Sequence, residues 1–591
     1  MATTEERASH RTHEVFNQAP PLADYNTFEQ DRPMVEAVRR EGADWAKERL
    51  QRFGAVCGSA EVIGWGYEAN EKLPVLRTHD RFGNRVDTVD FDRSWHNLMR
   101  LGIGEGLHAL PWREPGPGAH VARAALFMQL AQAEAGVGCP ISMTYSAIAA
   151  LRHQPEVAAE WEPHLFSLDY DERFLPAGEK RGAICGMAMT EKQGGSDVRA
   201  NTTSARALNG GGPGAEYEVT GHKWFCSQPM CDAFLILAQA DGGLSCFLLP
   251  RWTPDGEPNR FEIQRLKDKL GNRSNASSEV EFRSAWARMV GEEGRGVQTI
   301  IEMVNHTRLD CTIGATAGLR SGVAQATNHA AHRSAFGALL IDQPLMRNVL
   351  ADLCVESEAA TVSALRLARS YDESQPVASS ASRPQATGSP DSPASHPGAA
   401  GSPDSPASPQ ESQEARDFRR LANAVLKYWI CKRAPSHAAE CLECFGGNGY
   451  SEDSGMPRLF RESPLTSIWE GSGNVQCLDV MRAMVKNPAS VEALFAEIAE
   501  AQGADPRLDD FAARVRKEVA SDPATLETRA RRLVEDMALA LQGSLLVRHG
   551  DPAVADAFCA SRLGGEWGRT FGTLPAGIDF DRIIERHRPQ L

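Results

Sequence analysis

No stretch of the 591 residues approaches the roughly 20 consecutive apolar residues that a membrane-crossing helix needs, so no span is predicted. The opening Met1-Ala2-Thr3-Thr4-Glu5-Glu6 lacks the basic region and apolar run of a secretory signal, which predicts a cytoplasmic protein. Thirteen cysteines are scattered without framework spacing, in keeping with a reducing compartment. Cys441 and Cys444 form a C-x₂-C pair, but no second pair accompanies them and His437 does not complete a four-ligand set. Core packing on one helix face is expected there, and no metal. A Gly-x-Ser-x-Gly elbow is also missing, since Ser472 has glycines only immediately beside it, which removes the hydrolase reading. Neither a strand–GxGxxG–helix unit nor a Walker lysine pattern occurs. Cations are the minority, 63 Lys/Arg against 78 Asp/Glu. The net charge of −15 argues against a general polyanion binder, while a local basic patch could persist.

What is present is an ordinary globular composition on a chain too long for one core, so three or four domains are expected. After an irregular start over 1–35, helical spacing dominates to about Ala177, as in Met34–Phe53, Asp92–Leu101 and Ala119–Gly136. From Ile184 to about Val290 the apolar runs are short and bounded by turn residues. Tyr217–Thr220, Phe234–Ala238, Leu244–Leu249, Phe261–Arg265 and Ser278–Phe282 are read as strands. Helices resume over Val297–Asn305, Ala315–His332, Pro344–Tyr371 and Phe418–Glu443, and again after Glu470 through Val485. Within 374–415, 11 of 42 residues are Ser and eight are Pro, and Gly-Ser-Pro-Asp-Ser-Pro-Ala-Ser occurs twice. Such a segment buries too little apolar surface to offset its ordering entropy, so a disordered insert between two helices is predicted. The expected units are therefore 1–182, 183–290, 291–486 carrying that insert, and 487–591.

Two distant stretches carry the chemistry. In Ile468-Trp469-Glu470-Gly471-Ser472-Gly473-Asn474 a lone carboxylate sits beside an aromatic residue and runs into small residues. Desolvation beside Trp469 would raise the Glu470 pKa, which suits a general base. Gly471 and Gly473 permit close backbone approach to a flat ligand. Taken alone the stretch also reads as a helix N-terminus, with Ser472 as cap and Glu470 solvated. Upstream, Met187 to Asp197 is a loop rich in hydroxyl and main-chain donors, suited to a heteroaromatic ring edge and a pyrophosphate. Gly221-His222-Lys223-Trp224-Phe225-Cys226-Ser227 adds an aromatic and a hydroxyl after a turn glycine.

Together these stretches resemble the acyl-CoA dehydrogenase family, in its AidB-type (adaptive-response) branch. The resemblance runs from about Gly182 to Val485. It rests on Met-Thr-Glu-Lys-Gln-Gly-Gly-Ser-Asp at 189–197, Gly-His-Lys-Trp-Phe at 221–225, Leu-Lys-Asp-Lys-Leu-Gly-Asn-Arg-Ser-Asn at 266–275 and Ser-Ile-Trp-Glu-Gly-Ser-Gly-Asn at 467–474. It implies an α+β fold: an N-terminal helical domain, a middle β-barrel or sandwich, a C-terminal four-helix bundle and an extra C-terminal helical domain. It also implies FAD in a homotetramer. Met187, Met189, Thr190, Gly195 and Ser196 would line the flavin and pyrophosphate, with Phe225, Cys226 and Ser227 flanking the ring. Arg333 and Phe336 would reach a neighbouring subunit's FAD, and Gln343 would also bind the cofactor. Gly446 and Gly447, with Ser472 and Asn474, would meet the adenine and phosphate end of FAD, and Ile468 and Trp469 would adjoin the ring.

The implied reaction is α,β-dehydrogenation of an acyl thioester (an EC 1.3 oxidoreductase), with Glu470 taking the α-proton and flavin N5 the hydride. Ser196, Arg308 and Trp469 would contact substrate. Two positions depart from the family pattern: Phe225 stands where Trp is frequent, and Asn305 stands three residues before Arg308 where many members have Asp. The second departure leaves the CoA carrier open, and the electron acceptor is undetermined. The resemblance also raises an alternative, a flavoprotein that binds duplex DNA through Arg514, Arg516, Lys517, Arg529, Arg531 and Arg532 and limits alkylation damage. Yet residues 487–591 hold 13 Lys/Arg against 17 Asp/Glu, which favours a solvated helix face.

Overall fold

A computed structural model describes residues 12–374, 412–521 and 523–590. The N-terminal part is helical: α1 (Arg32–Arg40), α2 (Lys47–Cys57), α3 (Ala60–Glu71), α4 (Arg93–Gly104), α5 (Ala119–Ala133), α6 (Gly138–Leu151) and α7 (Pro155–Leu165). Two expectations are corrected here. Met34–Phe53 is not one helix, because the chain breaks at Gly42, whose φ of 88° excludes helix, before α2 begins. A hairpin of β1 (Val75–His79) and β2 (Arg85–Asp90), unread in the sequence, interrupts the helical run. Helices α5 and α6 are buried on nearly every face, which explains their Ala, Leu and Met content: each is enclosed by other elements on all sides.

The middle unit comprises β3 (Cys185–Ala188), β4 (Ser204–Ala207), β5 (Glu216–Ser227), β6 (Ala233–Ala240), β7 (Gly243–Pro250), β8 (Phe261–Leu266) and β9 (Ser277–Val290). Their order β3-β6-β4-β5-β9-β7, with β7 pairing back onto β6, closes a barrel, and β8 adds to β9. Phe234–Ala238 is fully buried, as a continuous apolar run requires.

The bundle follows: α8 (Gly296–His332), α9 (Pro344–Glu373), α10 (Gln413–Glu443), α11 (Met456–Glu462) and α12 (Gly473–Lys486). Between α8 and α9 a two-stranded hairpin pairs Ser334 with Leu339 and Ala335 with Ala338. Val297–Asn305 and Ala315–His332 were expected as separate helices, but α8 is one 37-residue rod. The polar residues that broke the apolar period are buried and partnered: Asp310 forms an ion pair with Arg123 of α5, and Arg308 with Asp479 of α12. Most of the predicted insert lies outside the described residues. At its end, Gln413–Ala415 belong to α10, whose first turn is capped by the Ser412 side chain accepting from Ala415 N.

The last unit holds α13 (Pro488–Ala499), α14 (Pro506–Val519), α15 (Pro523–His549), α16 (Pro552–Phe558) and α17 (Phe580–His587). Buried charges join it to the bundle. Arg586 binds both Glu358 of α9 and Glu36 of α1, His587 lies 3.1 Å from Glu358, and Arg562 engages Asp352 and Glu356. Among the described residues no helix is long and apolar enough to cross a membrane.

Candidate active site

Glu470 occupies the turn just before α12 and is half-buried, with φ at 56°. A non-glycine residue in that region is strained and must be held by its surroundings. Four side chains do so. Thr307 Oγ1 donates to the Glu470 carboxylate at 2.7 Å, and the Glu470 carbonyl accepts from Arg308 Nε and Gln476 Nε2, each at 3.1 Å. Lys427 Nζ grips the carbonyls on either side, Trp469 O at 2.9 Å and Gly471 O at 2.5 Å. Asp479 fixes Arg308 at 2.9 Å and is itself bound by Arg420. Burial raises the Glu470 pKa above its ordinary value, opposed by the Thr307 hydrogen bond and the Arg308 and Lys427 charges.

Across from this turn lie the barrel segments. Trp224 N donates to Thr190 O at 2.8 Å, which ties the 187–197 loop to β5. Gly195 packs so tightly on Thr190 that a Cβ there would fall 2.4 Å from the threonine hydroxyl. Within the loop Glu191 pairs with buried Lys223 at 2.9 Å. On β5 the side chains alternate: Phe225 is 49% exposed, Cys226 is in the core, and Ser227 turns outward to within 3.3 Å of Ser277 Oγ. Cys226 can therefore serve a cofactor only through its main chain. Burial pushes the thiol of Cys139, at the start of α6, up to about 11, and this thiol senses both Ser227 and the Glu470 charge. Cys139 therefore lies near both Ser227 of β5 and the Glu470 turn.

Met187 is buried, Met189 and Thr190 are half-buried, and Ser196 is exposed on the same loop. Ile468 is exposed beside the turn, and the Trp469 indole nitrogen is buried with no partner among the described residues. Ser472 occupies the cap position of α12, but its side chain makes no capping bond, and Asn474 is exposed one residue into the helix. The first-turn N–H groups there are consequently not met by the cap side chain, which suits an anion. Arg308 is buried and committed to Asp479 and to the Glu470 carbonyl, so it acts on the site through the main chain of Glu470.

Arg333, Phe336, Gln343, Gly446 and Gly447 lie elsewhere. Phe445 stacks on His329 at 4.2 Å, which places Gly446 at the far end of α8 with the hairpin. Thr307, which touches Glu470, and His332 are 25 residues apart on the unbroken α8, roughly 37 Å along the rod. One chain does not bring both groups to one ring.

Sequence reasoning missed Thr307, Lys427, Gln476 and Asp479. Only Lys427 announced itself, as a lone cation in Ala-Val-Leu-Lys-Tyr-Trp-Ile.

Three family models match the chain: the adaptive response protein AidB N-terminal domain over 17–172, the acyl-CoA dehydrogenase middle domain over 186–285, and the acyl-CoA dehydrogenase C-terminal domain over 294–387 and 407–485. The chain is 41% identical over 555 residues to the "Putative acyl-CoA dehydrogenase AidB" of Escherichia coli (strain K12), covering 94% of this chain and 95% of that protein. The chain belongs to the acyl-CoA dehydrogenase family, in its AidB branch. It is also 28% identical to "Acyl-CoA dehydrogenase family member 11" of Caenorhabditis elegans, over 80% of this chain and 73% of that protein. The crystal structure of Caenorhabditis elegans ACDH-11 in complex with C11-CoA superposes with a TM-score of 0.81 at 25% identity, covering 95% of each chain.

Proposed function

We propose that this flavoprotein dehydrogenates an acyl thioester, carried on CoA, between Cα and Cβ, with Glu470 as the base that removes the α-proton. The observation that carries the reading is a lone carboxylate with a raised pKa, held at a strained backbone position by Thr307, Arg308, Lys427 and Gln476, with Cys139 near both it and Ser227 of the barrel. The acyl-CoA bound by ACDH-11 supports the substrate class.

The residues fit FAD. The unpartnered Trp469 indole N–H, the exposed Phe225 ring, the outward Ser227 hydroxyl and the start of α12 offer donors and an apolar wall. At the other end, Gly446 and Gly447 leave open space where a Cβ would stand. When bound, FAD supplies the hydride acceptor. The chain supplies the rest. The Glu470 main-chain N–H donates to the thioester oxygen as negative charge develops there, a contribution of about 3–4 kcal/mol. Lys427, Arg308 and Gln476 keep that N–H and the carboxylate aimed together, so no reorganisation is needed at the moment of proton transfer. Ser196 and Trp469 contact the thioester portion, and Arg308 orients the base from below.

Thr307→Val tests the tuning of the base. The lost hydrogen bond favoured the ionised form, so Glu470 titrates at higher pH in the variant and the acid limb of kcat/KM moves upward. On the acid limb, well below the wild-type midpoint, kcat/KM falls about fivefold, one hydrogen bond's worth. An acid limb that stays in place would remove Thr307 from this role.

Duplex DNA binding is the weaker reading. Of its six cations, Arg514 and Arg532 flank Asp536, Arg516 pairs with Glu492 and Arg529 with Glu518. With four cations facing carboxylates, little phosphate-neutralising charge remains. A gel-shift titration at about 150 mM salt is expected to give no shift up to about 1 μM protein, the tight end of nonspecific binding. A salt-sensitive shift lost in Arg531→Ala would revive that reading.

A further inference from the structure

Two lysines whose side chains are shut off from solvent hold a carboxylate: Lys180 bonds Asp232 at 2.6 Å and Lys223 bonds Glu191 at 2.9 Å. On the connection from β8 to β9, Lys267 likewise meets Glu279 at 2.7 Å. Lys269, two residues further on, is half-buried and does not. Its ammonium donates to two neutral oxygens, Asn275 O at 2.7 Å and Ser277 Oγ at 3.0 Å, and has a third N–H left over. Lys427 shares this condition, and it grips the Glu470 turn.

Two carboxylates act on Lys269 through space, yet both are committed to neutral donors. Glu462, the last residue of α11, accepts from Asn272 N on both oxygens at 2.8 Å. Glu134, just after α5, accepts from Asn70 Nδ2 at 3.0 Å, Ser274 Oγ at 2.7 Å and Val137 N at 2.8 Å. Burial and the charge of Glu134 push the Glu462 carboxyl up to about 7, and burial pulls the Lys269 ammonium down to about 8. Opposite charges are thus drawn into one place and kept out of contact. The backbone enforces the separation: Asn272 has φ of 54°, and a Cβ on Gly271 would fall 2.4 Å from Arg461 O. Withdrawing a cation from water without pairing it costs stability, and such an arrangement suits a negative charge that arrives with a ligand.

The bonds of Lys269 lead to the candidate site. Ser277 Oγ, which it holds, lies 3.3 Å from the outward hydroxyl of Ser227. The Cys139 thiol senses Ser227, Lys269 and Glu470 together. The charges that act on Glu470 are those of Arg308 and Lys427, so Lys269 belongs to the Ser227 side.

We propose that Lys269, one hydroxyl behind Ser227, is the cation that sets the reduction potential of the bound flavin. When the thioester is oxidised, its α-proton goes to Glu470 and its β-hydrogen leaves with the bonding electron pair for the ring. One negative charge therefore passes from the carboxylate to the cofactor. Arg308 and Lys427 serve the side that gives up the charge, and Lys269 serves the side that receives it. A fixed cation there favours the reduced state, and its field is weakly screened where water is excluded. Lys269 acts through Ser277 and Ser227, as a positioning residue. The inference rests on the flavin reading above and adds the residue that tunes it.

The test uses the full-length protein loaded with FAD, and the potential is read by anaerobic equilibration against a reference dye. Lys269→Gln keeps a donor for Asn275 O and removes the charge, Lys269→Met removes both, and Lys269→Arg keeps the charge. In the two neutral variants the equilibrium constant for two-electron reduction is expected to fall about tenfold, a potential about 30 mV lower. Lys269→Arg recovers the wild-type potential, which a merely structural role would not bring about. Neutral variants that hold FAD at the wild-type potential would overturn the proposal. So would a fall that Lys269→Arg shows equally, since shape and not charge would then be the cause. Neutral variants that fail to fold while Lys269→Arg folds would make the charge a requirement of the fold and overturn it too. A wild-type protein that takes up no FAD would instead sink the flavin reading on which the proposal stands.

Discussion

Glu470→Gln is expected to leave the purified protein yellow while abolishing the bleaching that acyl-CoA produces under anaerobic conditions. Turnover should fall by roughly 10²–10⁴-fold, the range for losing a positioned general base. The substitution is nearly isosteric. The contacts that fix this turn, from Arg308, Gln476 and Lys427, all go to main-chain carbonyls, so the backbone at φ 56° and the cofactor's surroundings stay as they are. Only the proton acceptor is removed. The Gln amide can still accept from Thr307, so a loss of fold would not be the cause of a loss of bleaching. Straight and branched acyl-CoAs titrated anaerobically against both proteins give the measurement. Bleaching unchanged in the variant would take Glu470 out of the reaction.

That experiment addresses a residue the sequence pointed to directly, and the reason is instructive. Glu470 stood out because its neighbours are aromatic and small, a local property. The strands were equally legible where burial is two-sided: Phe234–Ala238 reads as one apolar run and lies in β6. Legibility failed where polar residues do interior work. Thr307, Arg308 and Asp310 look like the end of a helix, yet each is buried and satisfied by a partner on another element, and α8 runs straight through. Partners 150 or more residues away leave no periodic trace. Gly42 ended a helix through its backbone conformation, which an apolar pattern does not register. The second candidate group, at the far end of α8, was legible as residue types only. Its distance from Glu470 is a property of one helix's length, and the separation became visible once that helix proved continuous.

Glu358→Gln is expected to cost about 3–5 kcal/mol, the loss seen when one member of a buried ionic cluster is removed and its partners stay charged. Glu358 lies on α9 with its side chain excluded from solvent, and it receives Arg586 at 2.9 Å and His587 at 3.1 Å from α17. Arg586 continues to Glu36 of α1, so one carboxylate links the two ends of the chain to the bundle. Burial alone would raise the Glu358 pKa, but His587 and Arg586 overcome it and hold the carboxyl down at about 2. Burial would lower His587, but Cys354 and Glu358 hold it up at about 10. The depressed carboxyl contributes stability above its ordinary value of 4.5 and loses it as pH falls toward 2. The raised imidazole contributes fully below 6.5 and loses it as pH rises toward 10. The gap in melting temperature between wild type and Glu358→Gln should therefore be widest between pH 4.5 and 6.5, and narrow by pH 9.5. Thermal melts of both proteins across that range decide it. A gap that is absent at pH 6, or that grows with pH, would mean that α17 is held by packing and that these charges add nothing.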